Sequence, residues 1–197
     1  MNKADVHARV PVLEIFGPTI QGEGMVIGQK TMFIRTAGCD YRCSWCDSAF
    51  TWDGTGKAQI RQLSAEQIWA ELKRIGGDRF SHQLLNKQGI RTAVETQGSI
   101  WQDWLMWIDD VTLSPKPPSS GMKTDFAMLD SIMEKLTSPQ SRGRASLKIV
   151  VFDSADFSYA ESIHKRYPDI PFYMQPGNAN VTTDDYGALL PQLLQRY

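Results

Sequence analysis

Ala37-Gly38-Cys39-Asp40-Tyr41-Arg42-Cys43-Ser44-Trp45-Cys46-Asp47 holds every cysteine of the 197-residue chain. A disulfide framework uses an even number of cysteines spread along the sequence. Three crowded into one loop can close at most one strained ring and leave a thiol over. Soft thiolates select zinc, copper(I) or iron–sulfur clusters, and such centres normally take four ligands. Three thiolates on a four-iron cluster leave one iron open, and an open coordination position is where a metal centre does chemistry. A structural zinc ion completed by Asp40, Asp47 or a histidine is the alternative. His7, His82 and His164 show no ligand-like spacing of their own.

On either side of the loop, strand and helix patterns alternate. Thr31-Met32-Phe33-Ile34-Arg35 reads as a strand feeding the cysteines. Ser64-Ala65-Glu66-Gln67 reads as a capping box, with Leu63 and Ile68 as a staple. The helix it opens carries Ile68, Trp69, Leu72 and Ile75 on its apolar stripe and ends at Gly76-Gly77. Thr92 to Glu95 and Val111 to Ser114 are short strand candidates. Asp125 caps a helix through Phe126, Leu129, Ile132, Met133 and Leu136. Leu147 to Phe152 is a β-rich run, Asp156 opens a helix with Phe157, Ala160 and Ile163 inward, and Phe172 to Gln175 is a closing strand.

Such alternation predicts an α/β fold with a parallel sheet, crossover helices and ligands gathered at the carboxyl ends of the strands. A chain of this length is short for a full eight-stranded barrel, so a partial TIM-like barrel in a single domain, 1–197, is expected. Trp101, Trp104 and Trp107 read as a packed helical face, Asp109-Asp110 and Asp184-Asp185 as solvated pairs or helix starts, and Pro115 to Gly121 as a flexible loop. In Thr182 to Tyr197 the leucines are interrupted by Pro191, which starts a new turn or helix.

Net charge of -1 leaves no basic patch of the size needed to hold nucleic acid through its phosphates, so a small-molecule substrate is favoured. No run of about 20 apolar residues and no secretory leader stands out, so no membrane partner is expected. Grouped, reduced thiols point to the cytoplasm.

Cys39, Cys43 and Cys46, with three and then two residues between them, resemble the cluster motif of the radical S-adenosylmethionine superfamily. The likeness sharpens in Glu14-Ile15-Phe16-Gly17-Pro18-Thr19-Ile20-Gln21-Gly22-Glu23-Gly24, then Gly28, Phe33 and Arg35. It continues through Glu95-Thr96-Gln97-Gly98, Ser114-Pro115-Lys116, Leu147-Lys148-Ile149-Val150-Val151 and Gln175-Pro176-Gly177-Asn178. In that order these segments resemble the 7-carboxy-7-deazaguanine synthase family of queuosine-precursor biosynthesis, over most of the chain.

The resemblance implies a radical lyase that contracts 6-carboxy-5,6,7,8-tetrahydropterin to 7-carboxy-7-deazaguanine and releases ammonia. Its cofactors would be a 4Fe-4S cluster on Cys39, Cys43 and Cys46, S-adenosylmethionine regenerated in each cycle, and Mg2+ contacted by Ser48. It assigns the substrate to Ile20, Gln21, Gly22, Glu23 and Arg35. S-adenosylmethionine falls to Trp45, Cys46 and Asp47, to Ser114, Pro115 and Lys116, and to Gln175, Pro176, Gly177 and Asn178. A pterin carries an amidine-like donor edge and a carboxylate, which an ionised Glu23 and the forked donor of Arg35 suit through charge-assisted bonds. A flavodoxin-like electron donor and a homodimer are further expectations of the family. An activase of another radical branch, or a non-catalytic metal-binding module, would share the cysteine loop but need no pterin-binding groups.

Two departures from the family stand out. Between Ser81-His82 and Gly89 the family carries a strand, a glycine-rich turn that contacts S-adenosylmethionine, and a helix, where this chain has only Gln83 to Gln88. The family's C-terminal tail is also absent after Tyr197. Intact flanking sequence favours omission of these segments over true deletion, which would remove cofactor contacts.

Overall fold

Two β-rich stretches of the chain build two sheets, one antiparallel and one parallel. The structure, a computed structural model, describes residues 8–84 and 90–177, with backbone alone over 78–84. Contacts divide the chain into two units: the first comprises the chain up to Gly22, Ile27–Tyr41 and Asp47–Ile90, and the second Glu23–Val26, Arg42–Cys46 and the chain from Arg91 onward.

In the first unit, β1 (Val10–Ile20) is flanked by β2 (Lys30–Thr36) and β3 (Arg61–Leu63), both antiparallel to it. Pro11, Gly17 and Pro18 hide this long strand from a pattern reading, since proline and glycine are poor strand formers. Two register shifts in the β1–β2 ladder, between Val12 and Glu14 and between Phe16 and Thr19, accommodate the irregular sequence. Val12 and Ile15 pack with Met32, Leu63 and the Ile68, Leu72 and Ile75 stripe of α1 (Ala65–Leu84). The predicted capping box is present: the Ser64 N–H donates to Gln67 Oε1 at 2.9 Å, and the Gln67 N–H to Ser64 Oγ at 3.3 Å. Gly77, at φ +49, breaks the helix as expected, but helical backbone resumes beyond it to Leu84.

In the second unit, β4 (Ala93–Thr96), β5 (Asp110–Leu113), β6 (Arg144–Val151) and β7 (Phe172–Pro176) lie parallel in chain order. Helices α2 (Phe126–Leu136) and α3 (Ser154–Arg166) provide the crossovers that the alternation predicted. Strand geometry sends alternate residues to opposite faces. Val111, Leu113, Ala145, Leu147, Ile149 and Val151 therefore meet Leu129, Ile132 and Leu136 of α2 and Phe157, Ala160 and Ile163 of α3 in one dry core. The other parity is polar: Glu95, Thr112, Ser146, Lys148 and Gln175. Thr112 and Ser146 share a buried hydroxyl hydrogen bond of 3.0 Å.

Several local expectations are corrected. Asp153, not Asp156, caps α3, accepting from the N–H groups of Ala155 and Asp156; Asp156 is one turn inside and fully buried. Asp110 is buried as well, bonded to Arg91 at 2.6 Å and Arg144 at 2.7 Å, because two guanidinium groups flank the start of β5. Of the three spaced tryptophans only Trp101 packs on the core. Trp104 and Trp107 are exposed, since their segment is a short 3-10 turn whose buried residue is Leu105. The Pro115 to Gly121 stretch is no loose loop: Pro115, Pro117 and Ser120 are buried. Asn178, His7 and residues 182–197 lie outside the described residues, as does 85–89, within the stretch where the family's glycine-rich motif would fall.

Candidate functional site

Strand β2 delivers the chain to the cysteine loop, and Gly38 turns it there at φ +90, a backbone angle that side chains oppose. The Ala37 N–H donates to Pro11 O and the Gly38 N–H to Thr51 O, so the loop's entry is tied on both sides. Arg35, near the end of β2, donates through Nε to Glu14 Oε1 at 2.5 Å and through Nη1 to Ser48 Oγ at 2.8 Å. Its guanidinium also stands 5.9 Å from the Phe16 ring centroid and 5.5 Å from that of Phe50. Ser48 Oγ donates in turn to Asp47 Oδ1 at 2.9 Å. The first unit thus brings three predicted site residues, Arg35, Asp47 and Ser48, into one bonded row, completed by Glu14. At the end of β1, Ile20 is exposed and the Gly22 N–H donates to Gln21 Oε1 at 2.7 Å.

In the second unit, the 42–46 segment of the loop is clamped by the 3-10 turn Pro118–Ser120. The Ser44 N–H donates to Ser120 O, Ser44 Oγ to Ser119 O, and the Trp45 indole N–H to Ser119 Oγ at 2.9 Å. Ser119 itself is held by Asp156, which accepts from its N–H at 2.9 Å and from its hydroxyl at 2.6 Å. Trp45 rests against Phe152 with ring centroids 4.9 Å apart, and Lys116 Nζ lies 5.9 Å from the Trp45 centroid. Ser114, Pro115 and Lys116 follow β5 directly, and Gln175 and Pro176 end β7. These predicted cofactor residues therefore do stand at strand carboxyl ends. A Cβ at Gly177 would lie 2.5 Å from the Phe152 ring, a distance no side chain tolerates.

A charged group on the polar sheet face centres on Lys148. Its Nζ, on a side chain only 6% exposed, bonds Glu23 Oε2 at 2.7 Å and Glu95 Oε1 at 2.7 Å. Gln175 Nε2 donates to the other Glu23 oxygen at 3.0 Å. Burial on its own would lower the Lys148 pKa, but the Glu95 and Glu23 carboxylates outweigh it and hold the value above that of an ordinary lysine. Glu23 was expected from sequence, and so was Gln175, though for different ligands. Lys148 and the role of Glu95 were missed. The signal was present, since a lysine inside the run Leu147-Lys148-Ile149-Val150-Val151 has the parity of Ser146 and not of the core residues.

Cys39, Cys43 and Cys46 are half-buried thiols, none in a disulfide, and the Cys46 N–H donates to Cys43 O across a turn. Among the described residues, no three His, Cys, Asp or Glu side chains stand ready for a single metal ion. The donor set itself is soft and all-sulfur, which fits an iron–sulfur cluster.

Fold and site together define an α/β protein with motif residues at the carboxyl ends of parallel strands and a three-thiol loop entered from a β-strand. No family model matches the chain. Curated relatives do. A 7-carboxy-7-deazaguanine synthase of Bacillus cereus is 57% identical over 208 residues, covering 96% of this chain and 86% of that protein. The enzyme of the same name from Bacillus subtilis is 56% identical, covering 95% and 85%. One from Synechocystis sp. is 29% identical, covering 84% and 76%. The chain belongs to the 7-carboxy-7-deazaguanine synthase family.

Proposed function

We propose that this chain is a radical S-adenosylmethionine lyase that converts 6-carboxy-5,6,7,8-tetrahydropterin to 7-carboxy-7-deazaguanine with release of ammonia, in 7-deazapurine biosynthesis. The observation that carries this reading is 57% identity across 96% of the chain to the Bacillus cereus enzyme. Held by Cys39, Cys43 and Cys46, a 4Fe-4S cluster with an open iron would bind S-adenosylmethionine and supply the electron for radical chemistry.

The chain's own residues bind and orient. Glu23 accepts from the N–H edge of the pterin, Arg35 offers its fork to the carboxylate, and Ile20, Gln21 and Gly22 line the ring with backbone. Trp45, Cys46 and Asp47, Ser114 to Lys116, and Gln175 to Asn178 contact S-adenosylmethionine. Ser48 would contribute its hydroxyl oxygen to Mg2+, a hard cation that suits oxygen donors. The parallel sheet of the second unit is part of a partial TIM-like barrel, and the whole chain acts as one radical S-adenosylmethionine domain. The match to the Bacillus cereus enzyme spans 208 positions, more than the 197 residues of this chain, which supports a relative carrying internal residues without counterpart here. We place that difference after about residue 82. A flavodoxin-like protein donates the electron, and the enzyme works as a cytoplasmic homodimer. No described helix is long and apolar enough to cross a membrane.

Anaerobic reconstitution with iron and sulfide, then incubation with reductant, S-adenosylmethionine and carboxytetrahydropterin, tests the assignment. 7-Carboxy-7-deazaguanine and ammonia are expected, with far less 5'-deoxyadenosine than product because the cofactor is regenerated. Cofactor cleavage without ring contraction would move the chain to another radical branch. Failure to assemble any cluster would leave only a metal-binding module.

A further inference from the structure

Lys148 is the one lysine among the described residues that is buried, and burying an ammonium without a purpose is costly. Its partners come from far away in sequence: Glu23 lies 125 residues before it and Glu95 lies 53 before it, on β4. The arrangement is graded. The Lys148 side chain is 6% exposed, while those of Glu23 and Glu95 are 43% and 42% exposed. Each carboxylate oxygen takes one bond from within the protein: Glu23 Oε1 from Gln175, Glu23 Oε2 from Lys148, and Glu95 Oε1 and Oε2 from Lys148 at 2.7 and 2.9 Å. A carboxylate oxygen has two lone pairs, so each keeps acceptor capacity on its accessible side. Two carboxylates on one ammonium also leave a net negative charge, which suits a ligand edge made of N–H donors.

We propose that Lys148 is a positioning residue for substrate recognition: it holds the Glu23 and Glu95 carboxylates in fixed orientation, so that they read the amino-bearing edge of the pterin. This deepens the function proposed above and rests on Glu23 meeting that edge. A flexible glutamate would lose rotamer freedom on binding, whereas one already fixed by Lys148 does not. A site built to accept hydrogen bonds also rejects a ligand that lacks the donor, because its own polar groups are then left unpaired. Lys148 thereby acts on affinity and selectivity without touching the reacting carbon.

The test uses the reconstituted, cluster-loaded enzyme and its Lys148→Met and Lys148→Arg variants. Three quantities are measured: kcat and KM for carboxytetrahydropterin, the Kd of 7-carboxy-7-deazaguanine by calorimetry without turnover, and the preference for the pterin over its 2-deamino analogue. Wild-type turnover tests the proposed function by itself, so its failure is distinguishable from failure of the Lys148 assignment. With an active wild type, Lys148→Met is expected to raise KM and Kd about tenfold or more, equal to roughly 1.4 kcal/mol for each tenfold. It should change kcat by less than about threefold and narrow the preference for the amino-bearing pterin by a similar tenfold. Lys148→Arg keeps the charge and should recover a good part of both. If Lys148→Met does not fold or load its cluster, Lys148→Gln, which removes the charge but keeps a polar side chain, takes its place with the same expected rise in KM and loss of selectivity. Unchanged KM and selectivity in the folded variant, or a loss confined to kcat, would overturn it.

Discussion

Asp156 is the buried group on which the placement of Trp45 depends, and removing it should have a large and divisible effect. Its carboxylate is fully buried and accepts three hydrogen bonds: from the Ser119 N–H at 2.9 Å, from the Ser119 hydroxyl at 2.6 Å and from the Phe152 N–H at 3.0 Å. Bonds to a charged acceptor contribute about 1.5–3 kcal/mol each, and a buried donor left without an acceptor costs about 1–3 kcal/mol. Asp156→Ala strands two backbone donors and a hydroxyl, so a loss of roughly 3–5 kcal/mol is expected after allowing for relaxation. Asp156→Asn keeps one acceptor oxygen and turns an amide donor toward the Ser119 or Phe152 N–H, which predicts a smaller loss of about 1–3 kcal/mol. Urea unfolding followed by circular dichroism, on metal-free protein so that ligand binding does not add to stability, measures both. Because the Ser119 hydroxyl also receives the Trp45 N–H, the Asn variant should bind S-adenosylmethionine several-fold more weakly once reconstituted. A loss below about 0.5 kcal/mol in the Ala variant would show that the Asp156 carboxylate does not hold this turn, as would an Asn variant less stable than the Ala one.

Gly177→Ala should cost about 1–3 kcal/mol by overpacking and displace Phe152 from Trp45; a thermal melt indistinguishable from wild type would contradict the close approach. Arg35→Lys should raise KM for the pterin about tenfold with a smaller change in kcat, because the planar fork that also bonds Glu14 and Ser48 is lost while the charge stays. Steady-state kinetics check it, and an unchanged KM would remove Arg35 from the substrate site. Asp130 is held down to about 2 by its hydrogen bonds to Arg166 and then Tyr167. A carboxylate with a lowered folded pKa contributes stability above its unfolded value near 4 and loses it as pH falls through the folded value. Both partners are more than 40% exposed, so solvent screening leaves only about 0.5–1 kcal/mol. Asp130→Asn should be less stable than wild type by that amount at pH 6, and the difference should shrink as unfolding is repeated from pH 5 toward pH 2.

Patterning made the second unit readable. In β6 and the two helices, apolar residues recur at the strand and helix periods, and Ile163, read as inward, lies in the core with Leu147, Ile149 and Leu129. Strand β1 was not readable, because Pro11, Gly17 and Pro18 break its alternation and only pairing with β2 and β3 makes it a strand. The motif residues announced themselves by chemistry, yet their partners did not. Glu14 beside Arg35, Ser119 and Asp156 behind Trp45, and Glu95 beside Lys148 are contacts of the folded chain, between residues far apart in sequence. Asp110 shows the same limit: two adjacent aspartates look solvated until the fold surrounds one of them with Arg91 and Arg144.

The proposed chemistry rests on Cys39, Cys43 and Cys46 holding three irons of a four-iron cluster and leaving the fourth for S-adenosylmethionine. Mössbauer spectroscopy of protein reconstituted anaerobically with enriched iron tests it directly. A four-iron cluster is expected in which one iron site alone changes its parameters when S-adenosylmethionine is added, and which is lost in Cys43→Ala. A spectrum unmoved by S-adenosylmethionine, or purified protein that carries tetrahedral zinc and takes up no iron, would contradict it.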